Sequence, residues 1–112
     1  MSKESSLVTA CLILLQGYEN QGRIAWFDRF NSGTIFTSKP FPRKIKLHRG
    51  GTPDIMVITN SGFVFWIECK RGSKQSEEQV VFQKMISRFM AHRYIIIEQV
   101  DELEELISTV SC

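Results

Sequence analysis

Residues 50–72, GGTPDIMVITNSGFVFWIECKRG, carry the pattern that decides the fold. Residues 54–59 and 63–70 are mostly β-branched, aromatic or otherwise apolar, which predicts two buried strands. The Asn-Ser-Gly sequence at residues 60–62 is typical of a turn, so the two strands are expected to form a hairpin. Despite its apolar composition this hairpin contains two carboxylates and an ammonium group, which need an explanation.

The charged residues of the hairpin are expected to meet at its open end. Side chains alternate along a strand, so Glu68 and Lys70 share one face while Cys69 points to the other. Asp54 begins the partner strand, and a turn at residues 60–62 brings it beside Glu68. The pattern therefore predicts two adjacent carboxylates with a lysine next to them.

Neighbouring carboxylates repel each other, and burial increases the repulsion, so their placement requires compensation. A divalent cation supplies it, since Mg²⁺ binds one or two carboxylates together with waters and phosphate oxygens. Such a cation polarises a phosphate and lowers the pKa of a bound water, which a lysine can orient. With Gly50 and Gly51 nearby to let the backbone approach a ligand, the pattern indicates phosphodiester hydrolysis. The alternative is a surface pair of Glu68 and Lys70, worth ~0–1 kcal/mol.

The rest of the chain predicts an α/β domain with a mixed β-sheet flanked by helices. Ser76 is expected to cap one helix, with Val80, Met85 and Phe89 facing the core. The predicted elements are a helix at 4–19, strands at 23–30 and 34–37, a turn at 31–33, a loop at 39–42, a helix at 77–90, a buried strand at 94–98 and a helix at 101–109.

Composition limits the class of protein. A chain of 112 residues is long enough for one domain with a core of ordinary size. Three scattered cysteines suit neither a disulfide framework nor a zinc site, so a reducing cytoplasm is the expected location. The apolar run at residues 7–15 is far shorter than the ~20 residues of a membrane-spanning helix, and no membrane partner is expected.

Charge is distributed unevenly along the sequence. All fourteen Lys and Arg precede residue 98, against seven acids, whereas residues 98–112 contain five acids and no base. The acidic end is interpreted as a solvated helix face. The basic run of residues 39–49 is either a solvated loop or a surface for a polyanion, because neutralising phosphates releases bound counterions. Its bases are Lys39, Arg43, Lys44, Lys46 and Arg49.

Three motifs together resemble a known nuclease family. GGTPD at residues 50–54, IECK at 67–70 and SEEQ at 76–79 are similar to the virus-type replication-repair nuclease (VRR-NUC) domain of the PD-(D/E)xK superfamily. An early glutamate and an RFNSG segment at residues 29–33 fall in the expected order. The resemblance covers nearly the whole chain and implies a single nuclease domain, residues 1–112, with a restriction-endonuclease-like core.

The resemblance also implies roles for the hairpin residues. Asp54 and Glu68 would bind Mg²⁺ or Mn²⁺ together with the backbone carbonyl of Cys69, and Lys70 would position or activate the attacking water. Gln79 would support the site from its helix, although its spacing from Ser76 equally fits a capping box.

Outside the hairpin, the resemblance implies that Glu4 reaches the metal through a water molecule; the alternative is a favourable charge in the first helical turn. Arg29, Lys44, Lys46 and Arg49 would contact phosphates, which position DNA without reading its sequence. Small stand-alone members of viral and prophage type act as homodimers on branched DNA, which would place this chain in the cytoplasm of a bacterial host.

Three functions are therefore considered. The first is a Mg²⁺- or Mn²⁺-dependent endodeoxyribonuclease that resolves four-way (Holliday) junctions as a homodimer. The second is a branched-DNA-binding module that keeps the fold without cleaving. The third is a sequence-specific restriction nuclease, for which the chain offers little room to read base edges.

Overall fold

The structure is a computed structural model that describes residues 3–30, 34–46 and 49–110. The predicted turn at residues 31–33 lies outside these ranges. In chain order the elements are α1 (Lys3–Asn20), β1 (Trp26–Arg29), β2 (Thr34–Thr37), β3 (Arg43–Lys46), β4 (Ile55–Ile58), β5 (Val64–Cys69), α2 (Glu77–Ile86), β6 (His92–Ile97) and α3 (Val100–Val110).

Four strands form a mixed sheet in the order β1-β4-β5-β6. Strands β1, β4 and β5 are antiparallel neighbours, whereas β5 and β6 run parallel. Helix α2 provides the crossover that a parallel pair requires. Ile55 pairs with Ile67 and Ile58 with Val64, so the predicted hairpin is confirmed, as is the mixed sheet flanked by helices.

The two faces of this sheet are covered by different helices. Helices α1 and α3 pack on one face, where Cys11, Leu15 and Leu103 are completely buried. On the other face, Phe82 of α2 packs edge-on against Trp66, with ring centroids 5.2 Å apart. The strands contribute apolar residues to the core on the side of α1 and α3. These residues are Ile55, Val57, Phe65, Ile67, Cys69 and Ile97.

Helix α2 is shorter than the sequence predicted. It ends at Ile86 rather than near residue 90, and turns follow. The Ser87 hydroxyl donates to the carbonyl of Lys84 at 2.8 Å, which satisfies a backbone group that the last turn leaves unpaired. Of the three predicted core residues of this helix, two are partly buried, but Phe89 is half exposed and that prediction is wrong.

Strand β6 also differs from its prediction. It begins at His92 and ends at Ile97, and only Ile97 is fully buried. The expectation of a strand buried along its length came from the apolar sequence of residues 94–97. The outer position of β6 in the sheet explains the difference, because an edge strand has a neighbour on one side only.

The basic run contains a strand that the sequence did not reveal. Arg43–Lys46 pairs with β2, Thr37 opposite Arg43 and Thr34 opposite Lys46. We call this two-stranded sheet and its connecting loop, residues 34–46, the arm. Three bases in four residues give no apolar alternation, the signal by which strands are recognised.

The arm stands apart from the other described elements. It contacts no other helix or strand in the described ranges. The molecule is elongated, 52 Å long and 29 Å across in both other directions. Within the same ranges, none of the helices has the length and apolar character needed to cross a membrane.

Candidate active site

Asp54 and Glu68 meet at the open end of the β4–β5 hairpin, as the strand alternation predicted. The side chain of Asp54 is fixed because its Oδ2 accepts a hydrogen bond from the Cys69 N–H at 2.8 Å. Its backbone is fixed as well, since the Asp54 carbonyl accepts from the Phe30 N–H at 2.8 Å. The Cys69 side chain points into the core, where the sulfur is buried. The site is therefore assembled mainly from backbone contacts of neighbouring strands.

Glu68 is buried, and its two oxygens have different surroundings. Oε1 accepts a hydrogen bond from Gln79 Nε2 at 2.9 Å and lies 4.0 Å from the Lys70 ammonium. Oε2 is buried and has no hydrogen-bond partner. Leaving a buried carboxylate oxygen unpaired is costly, so the donor set is one that a cation would satisfy.

The electrostatics of the pair lead to the same conclusion. Burial raises the pKa of Glu68 to about 8, and the negative charge of Asp54 adds to the rise while Lys70 opposes it. Burial also raises the pKa of Asp54, against the opposing effects of the Cys69 N–H and of the charges on Lys70 and Arg29. Both pKa values are raised because burial disfavours the ionised carboxylates more than the nearby positive charges favour them, and a bound cation would add the compensating charge.

Gln79 takes part in the predicted capping box and also contacts Glu68. Its Oε1 accepts from the Ser76 N–H at 2.8 Å, and the Ser76 hydroxyl accepts from the Gln79 N–H at 3.2 Å, which together form a capping box. Because the amide oxygen is occupied by the cap, the amide nitrogen is directed at Glu68. The helix cap thereby orients a side chain of the site.

The glycine pair lies against the first turn of α2, where both residues are close to Glu78. A Cβ on Gly51 would lie 2.3 Å from the carbonyl oxygen of Glu78, and Gly51 has φ 87°, which favours glycine. Glycine at this position lets α2 approach closely enough for Gln79 to reach Glu68.

Glu4 lies at the edge of the same site. Its Oε1 accepts a hydrogen bond from the Ser73 hydroxyl and a longer one, 3.4 Å, from the Arg71 N–H. The Ser73 hydrogen bond lowers the pKa of Glu4, so this carboxylate is ionised. Its charge raises the pKa values of Asp54 and Glu68, which places it within electrostatic reach of the pair. Sequence reasoning missed Ser73, which is 69 residues from Glu4 and has no motif of its own.

The proposed phosphate contacts are spread over a wider area. Arg29 is exposed beside the site and stabilises the ionised form of Asp54. Lys44 is exposed on the arm, and Arg49 is exposed at the segment that leads back to Asp54. The side chain of Lys46 lies outside the described part of the structure. The structure thus brings Arg29 to the carboxylates but leaves Lys44 on a separate element.

The residues present fit a divalent cation. Asp54 and Glu68 offer carboxylate oxygens, and Cys69, whose carbonyl could join them, directly follows Glu68 at the end of β5. In the described ranges no group of three or more His, Cys, Asp or Glu side chains is arranged to hold a metal alone. Waters or phosphate oxygens would therefore complete the coordination, as is usual for Mg²⁺.

Comparison with known proteins supports the fold. A solved structure described as a VRR_NUC domain superposes with a TM-score of 0.59 and 15% sequence identity, over 96% of this chain and 97% of that chain. No protein-family profile and no curated protein matches the sequence. At this identity the likeness shows a shared fold, and it confirms the α/β architecture, similar to that of a VRR_NUC domain, that was predicted from the sequence.

Proposed function

We propose that this protein is a Mg²⁺- or Mn²⁺-dependent endodeoxyribonuclease that hydrolyses phosphodiester bonds in branched DNA, acting as one nuclease domain. The observation that carries the proposal is the buried Oε2 of Glu68, which has no hydrogen-bond partner although Oε1 of the same carboxylate lies 4.0 Å from the Lys70 ammonium. The fold shared with a solved VRR_NUC domain supports a nuclease rather than another class of metal site.

Each side chain of the site would have a separate role in the reaction. Asp54, Glu68 and the Cys69 carbonyl would hold the metal, which when bound supplies Lewis-acid polarisation of the scissile phosphate and a more acidic coordinated water. Lys70 would orient the attacking water. Gln79 holds Glu68 in position through the 2.9 Å hydrogen bond.

Glu4 would join this arrangement through a water molecule, since its carboxylate is held at the edge of the site by Ser73 and Arg71 rather than beside Glu68. Its ionised state adds negative charge that would favour cation binding at the site.

DNA is the proposed substrate because residues 30–53 contain five bases and no acid. Arg29, Lys44, Lys46 and Arg49 are the proposed phosphate contacts, which would fix the position of the duplex without reading its sequence. A homodimer would place two sites on opposing strands of a four-way junction, and two-fold pairing is the commonest symmetry of oligomers. The bacterial cytoplasm is the proposed location.

The test is cleavage of a labelled four-way junction beside a linear duplex of the same sequence, with Mg²⁺, Mn²⁺ or chelator. The parent protein is compared with Asp54→Ala, Glu68→Ala and Lys70→Ala, each checked for folding by circular dichroism. We expect metal-dependent, symmetric cuts in the junction that disappear in all three variants. Equal cleavage by folded variants and parent would refute the catalytic assignment.

A non-cleaving branched-DNA-binding module on the same fold is the second candidate, and the exposed bases of the arm favour it. Metal binding separates the two candidates independently of activity. We expect Mg²⁺ or Mn²⁺ to raise the Tm of the parent but not of Glu68→Ala, because a ligand that binds only the folded state stabilises it. Junction binding without metal-dependent stabilisation or cuts would favour the binding module.

A further inference from the structure

The loop of the arm presents an aromatic ring to solvent. Phe41 is 57% exposed and stands between two prolines in the sequence Lys-Pro-Phe-Pro-Arg, residues 39–43. The guanidinium of Arg43 lies 5.7 Å from the centre of the ring. Hydrophobic stabilisation follows the apolar area removed from water, so a ring this exposed contributes little to folding and its place at the end of an arm needs another explanation.

The loop is stiff. Pro40 and Pro42 fix their own φ angles and restrict the residues that precede them, Lys39 and Phe41. The Thr37 hydroxyl also donates to the Phe41 carbonyl at 3.5 Å, across the loop. A ring held in this way loses little conformational freedom on meeting a ligand, which favours binding.

Charge identifies the class of ligand. Lys39, Arg43 and Lys44 are all exposed, and residues 34–46 contain no acid. An aromatic ring surrounded by cationic side chains is the combination with which proteins hold unstacked bases: cations contact the backbone and the ring stacks on a base. Apolar wedges among basic residues also enter kinked base steps.

In sequence, the arm lies between two segments that adjoin the carboxylate pair. Phe30, four residues before the arm, donates its N–H to the Asp54 carbonyl at 2.8 Å, and residues 49–53, which follow the arm in the described part of the chain, directly precede Asp54. Four paired residues give the arm a length on the order of 13 Å. A DNA strand at the site would therefore lie within reach of the arm.

We propose that the arm is a DNA clamp and that Phe41 stacks on a base left unstacked at the branch point of the substrate. The choice of DNA as ligand rests on the proposed nuclease function. In a continuous duplex every base is already stacked, and inserting a ring requires that stacking to be broken, whereas a branch point offers open bases. Phe41 thus confers preference for branched DNA, while Lys44 and the neighbouring bases bind any DNA.

Binding in chelator, where cleavage cannot occur, tests this proposal. Anisotropy titrations of a labelled four-way junction and a matched linear duplex, at several salt concentrations, compare the parent with Phe41→Ala, Lys44→Ala and the control Phe89→Ala. Phe89 is matched to Phe41, because it is also half exposed and has an arginine 6.0 Å from its ring centre, but it lies outside the arm. A 2-aminopurine base at the branch point reports stacking directly.

We expect Phe41→Ala to weaken junction binding roughly 5- to 150-fold, the loss typical of one base–aromatic stack, with duplex binding unchanged. The parent should quench 2-aminopurine and Phe41→Ala should not. Lys44→Ala should weaken both substrates equally and reduce the magnitude of the salt slope by about 0.9. Phe89→Ala should match the parent.

Several results would overturn the clamp: no DNA binding by the parent, equal junction affinity of parent and Phe41→Ala, or equal loss on both substrates. Light scattering tests whether the arm binds a second copy of the chain instead of DNA. If the parent protein is a dimer and Phe41→Ala is a monomer, the arm is an interface between two copies. Cleavage is scored separately. A parent that binds through Phe41 but never cuts refutes the nuclease and keeps the clamp, whereas a nuclease indifferent to Phe41→Ala keeps the nuclease and refutes the clamp.

Discussion

The protein contains two antiparallel hairpins with opposite relations to the rest of the chain. The β4–β5 hairpin lies between β1 and β6, and its Ile55 and Ile67 are completely buried. The arm pairs only with itself and exposes Phe41. Reacting groups must be held within about half an ångström of their productive geometry, which neighbours on both sides provide, whereas a clamp has to reach outward. In the proposed nuclease, similar backbone pairing would thus serve two purposes, and the packing around each hairpin makes the difference.

The largest expected contrast between the two hairpins is catalytic. Lys70→Met, which keeps length but removes the charge, should slow junction cleavage roughly 10²- to 10⁴-fold, the usual contribution of a group that assists proton transfer. The same substitution at Lys44 on the arm should reduce the rate less than about tenfold at physiological salt, because it removes one phosphate contact. Single-turnover rates at saturating enzyme measure both. Comparable losses would mean that the arm takes part in the chemistry.

Substitutions in the two hairpins should also differ in their effect on the free energy of unfolding. Ile67→Ala empties a fully buried position and should lower the free energy of unfolding by about 2–5 kcal/mol. Phe41→Ala should change it by no more than about 0.5 kcal/mol, as for other exposed positions. Urea unfolding followed by circular dichroism measures the two. A large loss in Phe41→Ala would show that the arm packs against the body.

The site hairpin should be destabilised by its own carboxylates when metal is absent. The pKa of Glu68 is raised to about 8 from 4.5, so the folded protein binds more protons than the unfolded chain between these values. The contribution of Glu68 to the free energy of unfolding is therefore fully present below about pH 4.5 and is lost as the pH rises through 8. Glu68→Gln does not titrate, and should be more stable than the metal-free parent by roughly 1–3 kcal/mol at pH 9.

Two conditions control this comparison. At pH 4 the advantage of Glu68→Gln should disappear, and saturating Mg²⁺ at pH 9 should reduce it by stabilising the parent alone. Denaturant unfolding at the two pH values, with and without Mg²⁺, measures all four cases. An advantage that is independent of pH would assign the effect to packing rather than to charge.

The smallest contrast lies in the segment that joins the arm to the site hairpin. Gly51→Ala combines a positive φ with a Cβ 2.3 Å from the Glu78 carbonyl oxygen, and should cost roughly 1–2 kcal/mol of stability. It should also slow cleavage by displacing Gln79. Gly50→Ala is the matched control, because the atoms near its Cβ belong to the flexible end of the Glu78 side chain, which can rotate away. Thermal unfolding and cleavage rates that rank the variants in the opposite order would contradict this account.

The carboxylate pair was predictable because its determinants are local. Strand alternation and a recognisable turn at residues 60–62 suffice to place Asp54 beside Glu68, and the i to i+3 spacing of Ser76 and Gln79 suffices to predict the capping box. The contacts that were not predicted depend on residues distant in sequence. Ser73 meets Glu4 only after α1 has packed on the sheet, and the role of Gly51 depends on the position of α2.

Strand β3 was missed for a different reason. Its basic sequence has no apolar alternation, so pairing with β2 rather than burial defines it. The end of α2 at Ile86 was missed because apolar residues continue to Met90, and the half-exposed Phe89 shows that apolar character alone does not keep a helix going. The periodicity of apolar residues predicts the helices and strands that form the core. It gives no signal for elements that lie outside the core.

The parallel pairing of β5 with β6 has a consequence for protein synthesis. Glu68 pairs with Ile96, and the Lys70 N–H donates to the Ile97 carbonyl at 2.9 Å. The end of β5 that carries the site is therefore held by residues of β6, which are synthesised later. During synthesis on a ribosome, Asp54 and Glu68 emerge first, and α2, which carries Gln79, and then β6 follow. In the proposed nuclease, the order of strands would therefore delay a working site until residue 97 has been translated.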